Sequence, residues 1–402
     1  MKKNIVSLIG IIGLGVIVYF AYTFFFTPTQ ATSSLLLSKA DIEKENFLHN
    51  KKAILYLSTT ADQDIDGEGF SYAVFINKSG KAQALKMEGL ELGSTAVYDN
   101  NVFLEEKDMV RLVGEEYKEF PMKTDQYTGE RSGYIQEEEI FFSIYNSGFA
   151  QDGKGYRSDV RFGNEKNFQT DKIPFYIAAS GVESDKVNIL TQDVDKNEFH
   201  LKEVTFDTSL EVEHLSKVDT PKDEFFNALA PVLSDQTYYY LILSSAIDDF
   251  NEKTSLYRIN KDTLQQETYD FIEYKDMKDL VATIPYNFKN SAYIYNDILY
   301  FINGLGEVYT FDTNTEEIQL KFSLEDASES KIRNNEETYF KDGSLFVLRY
   351  SEDKKEKYYL EEYDLNNGNR VSSLDITGLS ELLSSVQRKS IYSYDLKVFD
   401  TQ

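Results

Sequence analysis

Tyr293-Ile294-Tyr295-Asn296-Asp297-Ile298-Leu299-Tyr300-Phe301-Ile302 sets two apolar runs on either side of Asn296-Asp297. Runs of this length, rich in Tyr, Phe and Ile, read as β-strands. An Asn-Asp pair between them reads as a tight hairpin turn, because both residues tolerate left-handed backbone. A second hairpin follows at once, Val308 to Phe311 with Ile318 to Phe322. Four strands therefore lie in succession.

The second hairpin's turn belongs to a repeating motif. An aromatic residue or Ile, then Asp or Asn, any residue, then Asp, Asn or Ser occurs as Ile76-Asn77-Lys78-Ser79, Phe206-Asp207-Thr208-Ser209, Ile259-Asn260-Lys261-Asp262, Phe311-Asp312-Thr313-Asn314 and Tyr363-Asp364-Leu365-Asn366. The last four are 53, 52 and 52 residues apart. Asp and Asn side chains can accept from the backbone two residues on, so the motif punctuates hairpins and is not a catalytic box. The same order returns as Tyr339-Phe340, a turn at Lys341-Asp342-Gly343, Leu345 to Leu348, then Tyr358 to Tyr363 with Val371 to Ile376. Polar, helix-compatible links are expected at Pro221 to Ala230, Lys275 to Ala282, Leu324 to Ile332 and Leu379 to Val386. Earlier inner hairpins are expected near Phe47 to Leu57, Ala96 to Leu104, Tyr134 to Ile144, Phe175 to Leu190 and Tyr238 to Leu243.

Four strands plus a link in about 50 residues is the size of a β-propeller blade. The expected fold is all-β, a propeller of seven four-stranded blades over residues 45–402, with six or eight as alternatives. A last hairpin, Ile391 to Phe399, would complete the first blade and close the ring. This pattern resembles the broad β-propeller group, its quinoprotein-like and beta-propeller-repeat members in particular. The resemblance is architectural. The chain has no Trp, so the Trp-Asp dipeptide of WD40 repeats and the tryptophan docking of a quinone cofactor are absent. Kelch glycine pairs and the aspartate box of sialidase-like propellers are missing too. No functional residue carries over.

Upstream lies an unbroken apolar run, Ile5 to Phe26, preceded by Lys2 and Lys3 and followed by no charge until Lys39. A helix of that length spans about 33 Å, enough for a bilayer core. The positive-inside rule predicts a single-pass signal-anchor with residues 1–4 cytoplasmic and everything after it extracytoplasmic. Residues 27–44 read as a tether. A cleaved signal peptide is the competing reading, but the run is long and Thr29-Gln30-Ala31 is a poor cleavage site. The expected location is the cell membrane.

The net charge is −26, which disfavours phosphate backbones, so no nucleic-acid partner is expected. Cys is absent, which excludes disulfides, thiolate nucleophiles and Cys-ligated metals. His49, His200 and His214 are the only histidines. They are far apart in sequence and read as surface or turn residues. Glu137-Glu138-Glu139 and Glu361-Glu362 read as solvated charges. The Gly148 to Gly155 stretch lacks phosphate-loop spacing and reads as a rim loop. Tyr238-Tyr239-Tyr240 and Tyr358-Tyr359 read as packing residues.

The sharpest local pattern is Asp62-Gln63-Asp64-Ile65-Asp66-Gly67-Glu68. Carboxylates at positions 1, 3 and 5 and a glycine at 6 match the front of a calcium loop, with the Glu68 carbonyl at 7. The match ends there, because Ala73 stands where a bidentate carboxylate is needed. Asp62, Asp64, Asp66 and Glu68 are thus a candidate calcium site, with calcium the candidate cofactor. The bland reading is an acidic loop. Asp193-Val194-Asp195-Lys196-Asn197 is a poorer echo. No catalytic or cofactor-binding residue is assigned.

The functional expectation is a membrane-anchored, non-enzymatic module that binds a protein or envelope ligand at a rim or funnel face, the partner lying at or near the same membrane. The alternative is an envelope hydrolase or lyase with a carboxylate-based site in the funnel.

Overall fold

The computed structural model describes residues 34–400 except 151–154, 194–195, 207–208, 222–223, 326, 328–332 and 387. Ile5 to Phe26 lies outside the described residues. Among those described, no helix is long and apolar enough to cross a membrane.

Seven antiparallel sheets follow one another around a ring. Their innermost strands are Tyr392–Val398, Thr95–Tyr98, Gly129–Ile135, Tyr176–Val182, the broken pair Phe226–Ala228 and Leu233–Ser234, Ala292–Tyr295 and Glu337–Lys341, which define blades one to seven. Blade one is closed by the two ends of the fold. The C-terminal strand Tyr392–Val398 pairs with Lys51–Ser58, Leu396 opposite Leu55. This is the expected closure, but Ile391 to Phe399 forms one strand and not a hairpin. For the same reason Phe47 to Leu57 is no hairpin: Phe47 sits in a turn, and the inner partner of Lys51–Ser58 comes from the other end of the chain.

The hairpin around Asn296-Asp297 forms as expected. Tyr295 pairs with Ile298, and both turn residues take left-handed backbone, φ 51° and 62°. The turn motif also behaves as punctuation: the side-chain oxygens of Asp312 and Asp364 accept from the backbone N–H two residues on, at 2.9 and 2.8 Å.

Apolar faces of neighbouring blades fill the space between them. Leu348 and Leu360 of blade seven meet Leu55, Val74 and Leu396 of blade one in a continuous cluster. Tyr239, Tyr240, Tyr358 and Tyr359 are buried, as expected of packing residues. Of the expected helical links, Leu379 to Val386 forms as expected, with an α-helix at Leu379–Ser385, and the others depart from expectation. Lys275 to Ala282 yields only a 3₁₀ turn at Leu280–Thr283. Pro221 to Ala230 carries no helix among its described residues and contributes the strand Phe226–Ala228, because Phe226 is drawn into the ring as part of blade five's inner strand. Leu324 to Ile332 falls mostly outside the described residues. From Leu35 onward the stretch read as a tether packs on blade one, Leu37 N–H donating to the Ala84 carbonyl at 2.8 Å.

The disc has two unlike faces. One carries the blade-to-blade links and the loops between second and third strands; it is termed the link face. The other carries the turns between first and second strands and is termed the turn face.

Candidate functional site: a plugged channel with two unlike mouths

The seven inner strands surround a channel, and one link crosses it. Pro285 disfavours helical backbone at the residue before it, and Ile284 accordingly leaves the Leu280–Thr283 turn in an extended conformation, ψ 127°. The chain then enters the channel and makes a second 3₁₀ turn, Phe288–Asn290, capped by Asn287, whose side chain accepts from Lys289 N–H at 2.9 Å.

This plug ties most of the ring together. Asn287 Nδ2 donates to Glu337 Oε2 of blade seven at 2.8 Å and to the Tyr394 carbonyl of blade one at 2.9 Å. Lys289 Nζ donates to the carbonyls of Leu92 and Gly93, in the link from blade one to blade two. The Lys289 carbonyl accepts from Arg131 Nη2 of blade three at 3.3 Å. Asn290 Nδ2 donates to Asp395 Oδ1 at 2.8 Å, and Ser291 Oγ to the Leu229 carbonyl of blade five at 2.7 Å. Buried polar groups are tolerated because they are bonded in this way.

Three inner strands carry a register shift near the link face, leaving Glu130, Ala178 and Tyr394 as the extra residues. A bulge breaks the alternation of side chains and re-aims them. All three residues line the hollow on that face, and the bulge lets Glu130 and Arg131, consecutive in sequence, both serve the channel. Ser180 stands between their charges. Its hydroxyl accepts from Arg131 Nε at 2.6 Å and lies 2.7 Å from Glu130 Oε2.

The link-face hollow has a volume of 780 Å³. Its carboxylates are Glu130, Glu252 and Glu337, and Tyr176, Tyr286, Phe288 and Tyr394 supply aromatic surface. Burial raises the pKa of all three, and Glu337 reaches about 8. The link face exposes large apolar side chains, Ile65, Phe149, Phe225, Phe250, Val281 and Phe288, of which Val281 and Phe288 line this hollow. The turn-face hollow, 750 Å³, is lined by Arg131, Lys261, Lys289 and Lys397, with Glu183 and Asp235 as its carboxylates. Burial lowers the pKa of Arg131, Lys289 and Lys397. Asp395, fully buried in the wall, accepts from Lys397 Nζ at 2.6 Å and from Thr95 N–H at 2.9 Å.

The residues singled out from sequence lie elsewhere. Asp62, Asp64, Asp66 and Glu68 sit on a link-face loop of blade one, and Gly67 takes the left-handed conformation expected of it, φ 73°. The three aspartate side chains are separately engaged, and Glu68 is exposed. Asp64 turns inward to Lys107 Nζ, 2.6 Å, and Gly69 N–H, 2.6 Å. Asp66 takes Lys389 Nζ at 2.8 Å and Glu68 N–H at 3.0 Å, and Asp62 bonds the Thr60 hydroxyl. Among the described residues no group of three acidic or His side chains is arranged to hold a metal ion. Asp193 accepts from Lys196 Nζ at 2.7 Å, while the middle of that echo, residues 194–195, is outside the described residues. His200 and His214, unpaired by sequence spacing, meet across a hairpin of blade four, Nδ1 to Nε2 at 3.2 Å. Glu361 is a correction. It is buried, bonded to Arg370 at 2.7 Å and Tyr363 Oη at 2.7 Å, because it faces the core between blades six and seven.

None of the channel charges was singled out in the sequence. The available signal was charge inside a strand otherwise made of apolar or small residues, such as Asp395 and Lys397 in Tyr392–Val398.

Several known proteins are similar to this chain. The YycP protein of Bacillus subtilis is 29% identical over 399 residues, covering 98% of this chain and 99% of that protein. Among solved structures, apo AztD from Citrobacter koseri has a TM-score of 0.45 at 11% identity, covering 85% of this chain and 98% of that one. A puromycin-hydrolyzing peptidase of Mycobacterium tuberculosis has a TM-score of 0.49 at 9% identity, covering 82% and 52%. The family model of the YycP β-propeller domain matches residues 46–399, and the chain belongs to that family.

Proposed function

We propose that this protein is a membrane-anchored, extracytoplasmic binding module whose link face docks a protein partner at the same membrane and takes one of its basic side chains into the funnel. The observation that carries the reading is the combination at one mouth: Glu130 and Glu252 in a hollow with aromatic walls, exposed Val281 and Phe288 in its lining, and Phe225 and Phe250 exposed on the same face. Exposed apolar groups around a polar pocket mark interaction surfaces. A lysine or arginine head, with its apolar stem against Tyr176 and Tyr286, matches that chemistry. The apolar run Ile5 to Phe26 supports the anchored location, and the acidic chain is unsuited to nucleic acid.

The test is site-specific photo-crosslinking in cells expressing the full chain. A crosslinker at Phe225 or Phe250 should give a discrete protein adduct that is lost on Glu130→Lys. A crosslinker at Leu320, exposed on an outer strand, should give none. Equal labelling from both places contradicts the reading.

One observation favours the hydrolase or lyase alternative. A Glu337 carboxyl raised to about 8 holds its proton at neutral pH, as a general acid must. It is only 2% exposed, however, and already accepts from Asn287, which fits a wall residue better than a proton donor to substrate.

A further inference from the structure

Four cations, Arg131, Lys261, Lys289 and Lys397, line the turn-face hollow against two carboxylates, Glu183 and Asp235. Lys397 has Asp395, and Lys261 has Glu183 at 3.2 Å. Arg131 and Lys289 differ. Lys289 Nζ meets only the carbonyl oxygens of Leu92 and Gly93. Arg131 gives Nε to Ser180 and Nη2 to the Lys289 carbonyl, while its Nη1 has no hydrogen-bond partner among the described residues. Neither cation has a carboxylate within 4.0 Å, the range of a salt bridge, among the described residues; Glu130 is one hydroxyl away from Arg131. Arg131 is 9% exposed. A buried charge is costly unless it is paired. Arg131 fronts the 750 Å³ turn-face hollow, and Lys289 lines both hollows.

We infer that the turn-face hollow binds a small oxyanion, the carboxylate or phosphoryl group of a compact solute, seated against Arg131 and Lys289 with Lys261 at its rim. A guanidinium with a free N–H matches either group. The site is separate from the link-face funnel, since the plug lies between them and only Lys289 lines both hollows. It does not depend on the partner proposed for the other face.

The test uses the detergent-solubilised full chain with two probes, inorganic phosphate and malonate, titrated calorimetrically against chloride at equal ionic strength. Saturable binding of one equivalent of either probe is expected, and the tighter probe tells phosphoryl from carboxylate. Arg131→Gln and Lys289→Met should abolish it. Lys261→Glu leaves Arg131 and Lys289 in place, so it serves if those variants do not fold; it should weaken binding by about tenfold or more. Glu252→Gln, on the other face, should leave it unchanged. No saturable heat with either probe, or binding retained in Lys261→Glu and in whichever buried-cation variant folds, overturns the inference.

Discussion

Asn290 Nδ2 lies 2.8 Å from Asp395 Oδ1, joining the plug that precedes blade six to the C-terminal strand that closes blade one. The two residues are 105 positions apart in sequence. The contact makes the channel's contents part of the ring's closure, so the same side chains set both stability and the shape of the two mouths.

Asp395 is therefore expected to be the most sensitive position of the channel. Asp395→Ala removes the partner of Lys397 and leaves that ammonium buried and unpaired. Breaking a buried pair from one side typically costs about 3–5 kcal/mol. Urea denaturation of the full chain should show a loss of that order. Lys341→Ala, on the more exposed ion pair with Asp400, should cost less than about 1 kcal/mol.

Glu337 gives stability a definite pH dependence. Its folded pKa is raised to about 8 by burial, against roughly 4.3 when unfolded. The folded state binds the extra proton between those values. Its contribution is fully present below the unfolded pKa and is lost as pH rises through the folded one. The slope approaches about −1.4 kcal/mol per pH unit in that window. Glu337→Gln should flatten this part of the stability profile. An unchanged profile between pH 5 and 8, against wild type, would show that Glu337 does not titrate in this way.

The Asn296-Asp297 turn should accept glycine. Asp297 holds φ 62°, a conformation that costs a non-glycine residue something and glycine little. Asp297→Gly is expected to be neutral or stabilising by up to about 1 kcal/mol. Asn296→Val should destabilise, because a β-branched residue is poorly suited to left-handed backbone. Paired thermal melts would separate the two.

Calcium at the Asp62 loop would have to displace two lysines. Lys107 holds Asp64 and Lys389 holds Asp66. Millimolar calcium should leave the melting temperature of the wild-type chain unchanged. The Lys107→Met, Lys389→Met double variant, with both carboxylates released, should gain a calcium-dependent rise. A saturable rise in the wild type would instead assign calcium to the native loop.

The fold was largely legible because its signals are local. Asn296-Asp297 and Asp312 fix turns within a few residues, and the 52-residue recurrence counts the later blades. Strand Tyr392–Val398 could be placed because an unpaired strand must find an edge. The channel was not legible. Glu130 reaches the funnel through a bulge, Lys289 through a link that crosses the ring, and Glu337 and Asp395 become neighbours of that link only once seven blades close. His200 and His214 were missed for a simpler reason: their contact is a diagonal across a hairpin. The acidic loop was conspicuous in sequence because its residues are adjacent, yet Lys107 and Lys389, which engage Asp64 and Asp66, come from distant positions.

The most direct measurement of the proposed docking is a calorimetric titration of the full chain with two short peptides. One carries a single arginine flanked by leucines; the other replaces that arginine by uncharged citrulline. The account predicts saturable binding of the arginine peptide, much weaker binding of its citrulline counterpart, and loss of the difference in the Glu130→Gln, Glu252→Gln double variant. Equal binding of both peptides, or a preference that survives in the double variant, would contradict it.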